Sequence, residues 1–194
     1  MISSSPIRVG VLGAAAIVPM ALIHPARSVP EMQIAAITAR DPKRAQSFGR
    51  RHHIPRVHQT YDALLADPDI DAIYNPLPNS LHAEWTISAL QAGKHVLCEK
   101  PFASNAKEAE EMAKTACETG LVLSEAFAYR YHPLTARERD YFQWEIGKNQ
   151  TYRSPVLFFA SSPKQHSIQI RAGWRRTDGL RVLSCQFDPL FSGC

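Results

Sequence analysis

Short runs of apolar, often β-branched residues alternate with longer amphipathic stretches through the first two thirds of the chain. Ile7-Arg8-Val9-Gly10-Val11-Leu12-Gly13 is nearly continuous in apolarity and ends in glycine, as a strand buried on both faces of a sheet requires. Small and aliphatic residues over 14–27 predict a helix, and Met32-Gln33-Ile34-Ala35-Ala36-Ile37-Thr38 predicts a second strand, so the chain opens on a βαβ unit. Asp41 before Pro42 is a helix cap followed by proline at the first helical position, starting a helix that runs to Arg51. Further helices are predicted over 61–66, over 80–92 before Gly93 and over 104–119 before Gly120, with strands at 72–75, 95–98 and 121–124. Strand and helix in strict turn predict an α/β fold, a doubly wound parallel sheet with helices on both faces.

Ligands of such folds bind beyond the C-terminal ends of the strands. Those ends are Gly13, Thr38-Ala39-Arg40, Asn75-Pro76-Leu77-Pro78, Glu99-Lys100-Pro101 and Glu125-Ala126-Phe127. After the first strand, Gly13-Ala14-Ala15-Ala16-Ile17-Val18 stands in the register of GxGxxG, with Ala15 and Val18 in the later glycine positions. In that fingerprint backbone N–H groups approach a pyrophosphate, although small residues at a strand-to-helix turn also serve packing alone. After the second strand stands Arg40, where an acid would suit the ribose 2'-OH of NAD and a base suits the 2'-phosphate of NADP. A solvated charge near a helix start is the alternative. In Cys98-Glu99-Lys100-Pro101 the ammonium of Lys100 is placed in the ligand crevice, where it can act as acid or base or polarise a hydroxyl; the alternative is a surface ion pair.

On these residues the chain resembles the glucose-fructose oxidoreductase, inositol dehydrogenase and rhizopine-catabolism (Gfo/Idh/MocA) oxidoreductases, from about Pro6 to Lys148. The resemblance implies a Rossmann-type fold, with Lys100 of the Glu-Lys-Pro motif as the catalytic lysine. Asn75-Pro76-Leu77-Pro78-Asn79-Ser80-Leu81-His82 is similar to the loop that cradles the nicotinamide ribose. Glu125-Ala126-Phe127-Ala128-Tyr129-Arg130-Tyr131-His132-Pro133 is similar to the segment leading beneath the nicotinamide into a second domain. By resemblance, Gly13, Ala14, Ala15, Ala16, Ile17, Arg40, Leu77, Pro78, Asn79, His82, Glu99, Lys100 and Arg130 are cofactor-side residues, and Tyr129 and His132 face the substrate. Packing is the alternative for His82, Tyr129 and Tyr131. The pattern is most similar to the NADP-dependent branch that includes dihydrodiol and D-xylose 1-dehydrogenases. It implies hydride transfer between NADP, rather than NAD, and a carbinol of a small sugar or diol. Ala16 departs from relatives with Arg or Asn there, which puts more of the NADP preference on Arg40.

Composition narrows the partners. The 22 Lys and Arg against 18 Asp and Glu give +4, but to Lys148 the count is 16 against 16, so the excess lies in the last 46 residues. With no interleaving of aromatic and basic residues, a nucleic-acid partner is not expected. Cys98, Cys117, Cys185 and Cys194 show no CxxC spacing, which predicts neither a metal site nor a disulfide framework and suits a reducing, cytoplasmic setting. The apolar run 9–23 is broken by Gly10, Gly13 and Pro19 and is read as strand rather than signal peptide, with no membrane association expected.

These readings divide the chain into a nucleotide-binding domain at 1–128, the start of a substrate domain at 129–148 and a non-family tail at 149–194. The tail holds Pro155, Pro163, Pro189 and Arg175-Arg176 without a sustained period of strand or helix. Read one nucleotide later, degenerate codons for Ala172 to Cys185 permit the family's glycine-rich motif with its aspartate and tyrosine. The expectation is a frame lost after Gly147-Lys148, a poorly ordered tail cut first by proteases between Arg171 and Arg181, and only a remnant of the second α+β domain. Intact relatives are then homo-oligomers that pair through the domain this chain lacks. A catalytically inactive nucleotide-binding fragment is the alternative to an active dehydrogenase.

Overall fold

The computed structural model describes residues 5–135 and 137. Everything expected of 138–194, including the tail, lies outside the described residues, as does the side chain of Arg130. A compact unit ends at Phe127, and a second begins at Ala128.

In chain order the elements are β1 (Ile7–Leu12), a π turn (Pro19–Ile23), α1 (His24–Ala26), β2 (Met32–Thr38), α2 (Pro42–His52), β3 (Arg56–Val57) and α3 (Tyr61–Leu65). There follow β4 (Ala72–Asn75), a 3-10 turn (Asn79–Leu81), α4 (His82–Gln91), β5 (His95–Cys98), α5 (Ala106–Thr119), β6 (Leu123–Glu125) and a 3-10 turn (Ala128–Tyr131). The six strands form one sheet in the order β3-β2-β1-β4-β5-β6, with every pairing parallel. This is the doubly wound Rossmann order, with its switch point between β1 and β4.

Alternation along the strands builds a core on each face. Val9 and Val11 of β1 pack with Val18, Leu22, Ile37 and Tyr74 on one side. Leu12 packs with Leu64, Ile73, Leu90 and Met112 on the other. Each such side chain contributes about 1.5–3 kcal/mol when taken from water.

Three local outcomes differ from the sequence pattern. The helix expected over 14–27 begins only at Pro19 and is wide-turned: His24 N–H bonds the Pro19 carbonyl five residues back. Pro25 lacks the N–H that would have bonded Ala21, so the regular ladder cannot run through this segment. The helix expected from 104 starts at Ala106 because Asn105 is its cap, accepting from Glu108 N–H at 3.0 Å while Glu108 takes the Ser104 N–H at 2.9 Å. The two-residue strand β3 was not anticipated; it exists by pairing with Ala36 and Ile37.

Where the strands begin, side chains tie the sheet together. Arg8 bonds Asp71 at 3.1 and 3.0 Å and Asp69 at 2.9 Å, and Arg56 reaches Asp69 at 3.0 Å and Asp67 at 3.1 Å. The Arg8 hydrogen bond holds the Asp71 carboxyl below its ordinary range, against the effect of burial. Burial pushes Asp67 upward, but the Asp69 N–H, His58 and Arg56 outweigh it and leave that carboxyl lowered. Buried Lys94 donates to the Asp67 and Ile70 carbonyls, both at 2.8 Å.

Candidate functional site

At the opposite end of the sheet, the turn after β1 is shaped by one glycine. Gly13 has φ +94°, and a Cβ there would lie 3.0 Å from Leu77 Cδ2, so a side chain would be strained and would crowd the loop after β4. Its N–H donates to the Thr38 carbonyl at 2.7 Å, fastening the turn to the end of β2. Ala14 is buried, Ala15 half-buried, and Ala16 and Ile17 are exposed. Among the described residues, the N–H groups of Ala14, Ala15, Ala16 and Ile17 find no backbone acceptor. Four donors so placed at a strand-to-helix turn suit a phosphate group.

Beside this turn, the Thr38 hydroxyl is buried without a hydrogen-bond partner among the described residues. Arg40 is exposed just past β2 and forms no ion pair among the described residues. The neighbouring acid is already engaged, since Asp41 caps α2 by accepting the Lys43 N–H at 2.9 Å. Sequence reasoning missed Arg44, whose Nη2 donates to the Ala14 carbonyl at 2.9 Å and so brings a second guanidinium to the glycine turn. Its spacing, four residues after Arg40, was the available signal.

The loop after β4 is fixed by Asn75, which is fully buried. Its amide donates to the His82 carbonyl at 3.2 Å and Thr86 Oγ1 at 3.1 Å, and its side-chain oxygen accepts the Leu77 N–H at 3.3 Å. Leu77 is buried, whereas Pro78 and Asn79 are exposed at the rim; the Asn79 carbonyl accepts Ser104 Oγ at 3.2 Å. His82, expected beside the cofactor, is 1% exposed and turns both ring nitrogens to main-chain oxygens instead, those of Pro101 and Leu77. Its place in the site is therefore behind the loops rather than on their surface.

The Glu-Lys-Pro turn is held from three elements. Glu99 N–H donates to the Asn75 carbonyl at 3.0 Å, and the Tyr74 hydroxyl donates to Glu99 Oε1. Burial, with the Glu99 carboxylate beside it, pushes the Tyr74 phenol well up. Glu99 Oε2 accepts the Lys100 N–H at 3.2 Å, and Glu125 at the end of β6 accepts the Phe102 N–H at 2.9 Å. Lys100 itself is exposed, and its ammonium has no ion-pair partner among the described residues.

In the second unit, His132 sits in a local turn, its N–H donating to the Tyr129 carbonyl at 3.1 Å and its Nδ1 accepting the Leu134 N–H at 3.2 Å. Tyr129 and Tyr131 are exposed, unlike core aromatics. No group of three or more His, Cys, Asp or Glu among the described residues is arranged to hold a metal ion, and no helix among them is long and apolar enough to cross a membrane.

The sequence profile of the Gfo/Idh/MocA oxidoreductases, described as an oxidoreductase family with an NAD-binding Rossmann fold, matches residues 7–127. D-xylose 1-dehydrogenase (NADP(+)) 2 of Haloferax volcanii is 44% identical over 138 residues, covering 71% of this chain and 42% of the relative. Trans-1,2-dihydrobenzene-1,2-diol dehydrogenase of Xenopus tropicalis is 41% identical over 102 residues, covering 53% of this chain and 31% of the relative. Among solved structures, a 3-ketoreductase from Actinomadura kijaniata in complex with NADP and TDP-benzene superposes with a TM-score of 0.67 at 40% identity, covering 72% of this chain and 42% of the other. The chain thus spans less than half the length of these relatives.

Proposed function

Because the chain belongs to the Gfo/Idh/MocA oxidoreductase family, we propose that its residues 1–128 bind NADP in preference to NAD and that 129–148 lead toward a substrate domain. We assign it to the NADP-dependent dehydrogenases acting on a carbinol of a small sugar or diol, in a reducing, cytoplasmic setting. Intact members pair as homo-oligomers in this reading.

The observation that carries the proposal is the set of four N–H groups over 14–17 that find no backbone acceptor among the described residues, beside the left-handed Gly13, with Arg40 exposed past the end of β2 and without an ion pair among them. The donor set fits the group: main-chain N–H for a diphosphate and guanidinium for a 2'-phosphate, beside a Thr38 hydroxyl that is buried without a partner among the described residues. When bound, the nicotinamide supplies a hydride donor or acceptor. The chain's own residues do the rest. The turn at 13–17 holds the diphosphate, while Arg40, supported by Arg44, holds the phosphate on the ribose. Leu77, Pro78 and Asn79 shape the wall on which the nicotinamide ribose rests. Glu99 fixes the turn from which Lys100 projects. The Lys100 ammonium takes or gives the proton of the substrate hydroxyl.

Titrating NADP and NAD into the expressed chain by calorimetry tests this reading. NADP is expected to bind more tightly, and equal affinities would overturn it.

A further inference from the structure

We infer that Arg44 is a positioning residue for the diphosphate: by holding the Ala14 carbonyl from α2, it aims the Ala15 N–H into the space where the glycine turn receives its ligand. The ligand is that of the cofactor reading above, on which this role rests; the aim of the N–H is a matter of peptide geometry.

A trans peptide is planar, so its C=O and N–H point in opposite directions. Among the described residues the cis bond is Lys100-Pro101, so the rule holds throughout the glycine turn. There the Ala15 carbonyl turns back to accept the Val18 N–H at 3.2 Å, which points the Ala16 N–H the other way. The Ile17 carbonyl accepts the Ala21 N–H at 2.9 Å. Those two carbonyls are held by the chain's own next turn. The Ala14 carbonyl is held from another element: its partner is Arg44 Nη2, at 2.9 Å and thirty residues on. The direction of the Ala15 N–H is therefore set by a side chain of α2, and that of the Ala16 N–H by the turn itself. With the peptide between Ala14 and Ala15 turned over, an oxygen would face the diphosphate in place of a donor.

The helix gains nothing from a guanidinium here. Arg44 lies in the first turn of α2, where the positive end of the helix dipole disfavours a cation. It has no carboxylate partner among the described residues, and the Asp41 side chain is taken by the Lys43 N–H. Arg40 and Arg44 then act on different parts of the cofactor. The 2'-phosphate that Arg40 meets is carried by NADP alone, whereas the diphosphate served through Ala14 is common to NADP and NAD.

The test is amide-resolved NMR of the whole 15N-labelled, 194-residue chain with sodium pyrophosphate as the probe. On saturation the Ala15, Ala16 and Ile17 amide signals are expected to move in the unaltered chain. In Arg44→Met the Ala15 shift is expected to disappear while those of Ala16 and Ile17 persist; Arg44 is exposed, so the core is untouched. Loss of a nearby charge alone lowers the affinity that all three signals report and spares their pattern, so an unchanged pattern at saturation overturns the inference. Calorimetry with NAD, which has no 2'-phosphate, is the second arm. Arg44→Met is expected to weaken NAD about tenfold, as loss of a hydrogen bond to a charged group implies, and unchanged affinity overturns the positioning role. If no amide of the turn moves in the unaltered chain and neither dinucleotide binds, the cofactor reading fails and this role with it. Binding without the change at Ala15 sinks the role alone.

Discussion

Where the strands begin, Arg8, Arg56, Lys94, Asp67, Asp69 and Asp71 are committed to one another or to main-chain carbonyls. Where the strands end, the Lys100 ammonium and the Arg40 guanidinium have no ion-pair partner among the described residues, and a run of main-chain N–H groups points at nothing in the unit itself. The contrast is one of allocation. At the first end the fold consumes charge to hold β1, β3, β4 and β5 in place; at the second it leaves charge available and supports it from behind, through Tyr74, Asn75 and His82. Substitutions at the two ends should therefore separate stability from ligand chemistry.

The sharpest separation is expected at Lys100. Where the chain is joined to the family's substrate domain and turns over a sugar or diol, Lys100→Ala should cut that turnover by about 10²–10⁴-fold while leaving NADP affinity within a few-fold and the thermal midpoint as it was. Retained turnover would break the comparison at its functional end. The mirror experiment is Lys94→Met, which strips the donor from two buried carbonyls and should lower the unfolding free energy by about 1–3 kcal/mol. Urea denaturation measures that loss, and calorimetry should find cofactor binding unchanged. Arg40→Asp should narrow or reverse the preference for NADP over NAD by about tenfold, again without a change in urea midpoint.

The smallest expected effect is a pH dependence confined to the first end. Asp71 and Asp67 both have lowered pKa values in the folded chain, so they contribute stability that is present above the ordinary carboxylate range. That contribution is lost as pH falls through their folded values. The urea midpoint should therefore decline with acid in the native chain and decline less in Asp71→Asn; parallel declines would mean that Asp71 takes no part.

Most of this contrast could be read along the chain, and its omissions have a common cause. Apolar runs and caps are local signals, so five of the six strands, the Asp41 cap and the Glu-Lys-Pro turn were legible from neighbours in sequence. Non-local bonds were not. Arg44 matters because Ala14, thirty residues earlier, turns a carbonyl toward it. Tyr74 acts on Glu99 across 25 residues, and β3 exists only because β2 offers Ala36 and Ile37 as partners. His82 was placed near the right loop, but nothing in the motif says that both its nitrogens face carbonyls. Pro25, visible in the sequence, was underweighted: its missing N–H was enough to forbid a regular helix there.

Cys98 closes β5 immediately before Glu99, fully buried, and burial pushes its thiol up to about 12. A sulfur kept protonated and out of reach cannot be alkylated while the strand stays in the sheet. Reaction at that position is then a clock: its rate under a mild thiol reagent counts how often β5 leaves its neighbours. A bound dinucleotide that grips the adjoining turn would slow that clock, so ligand occupancy would become readable as the lifetime of one unmodified sulfur.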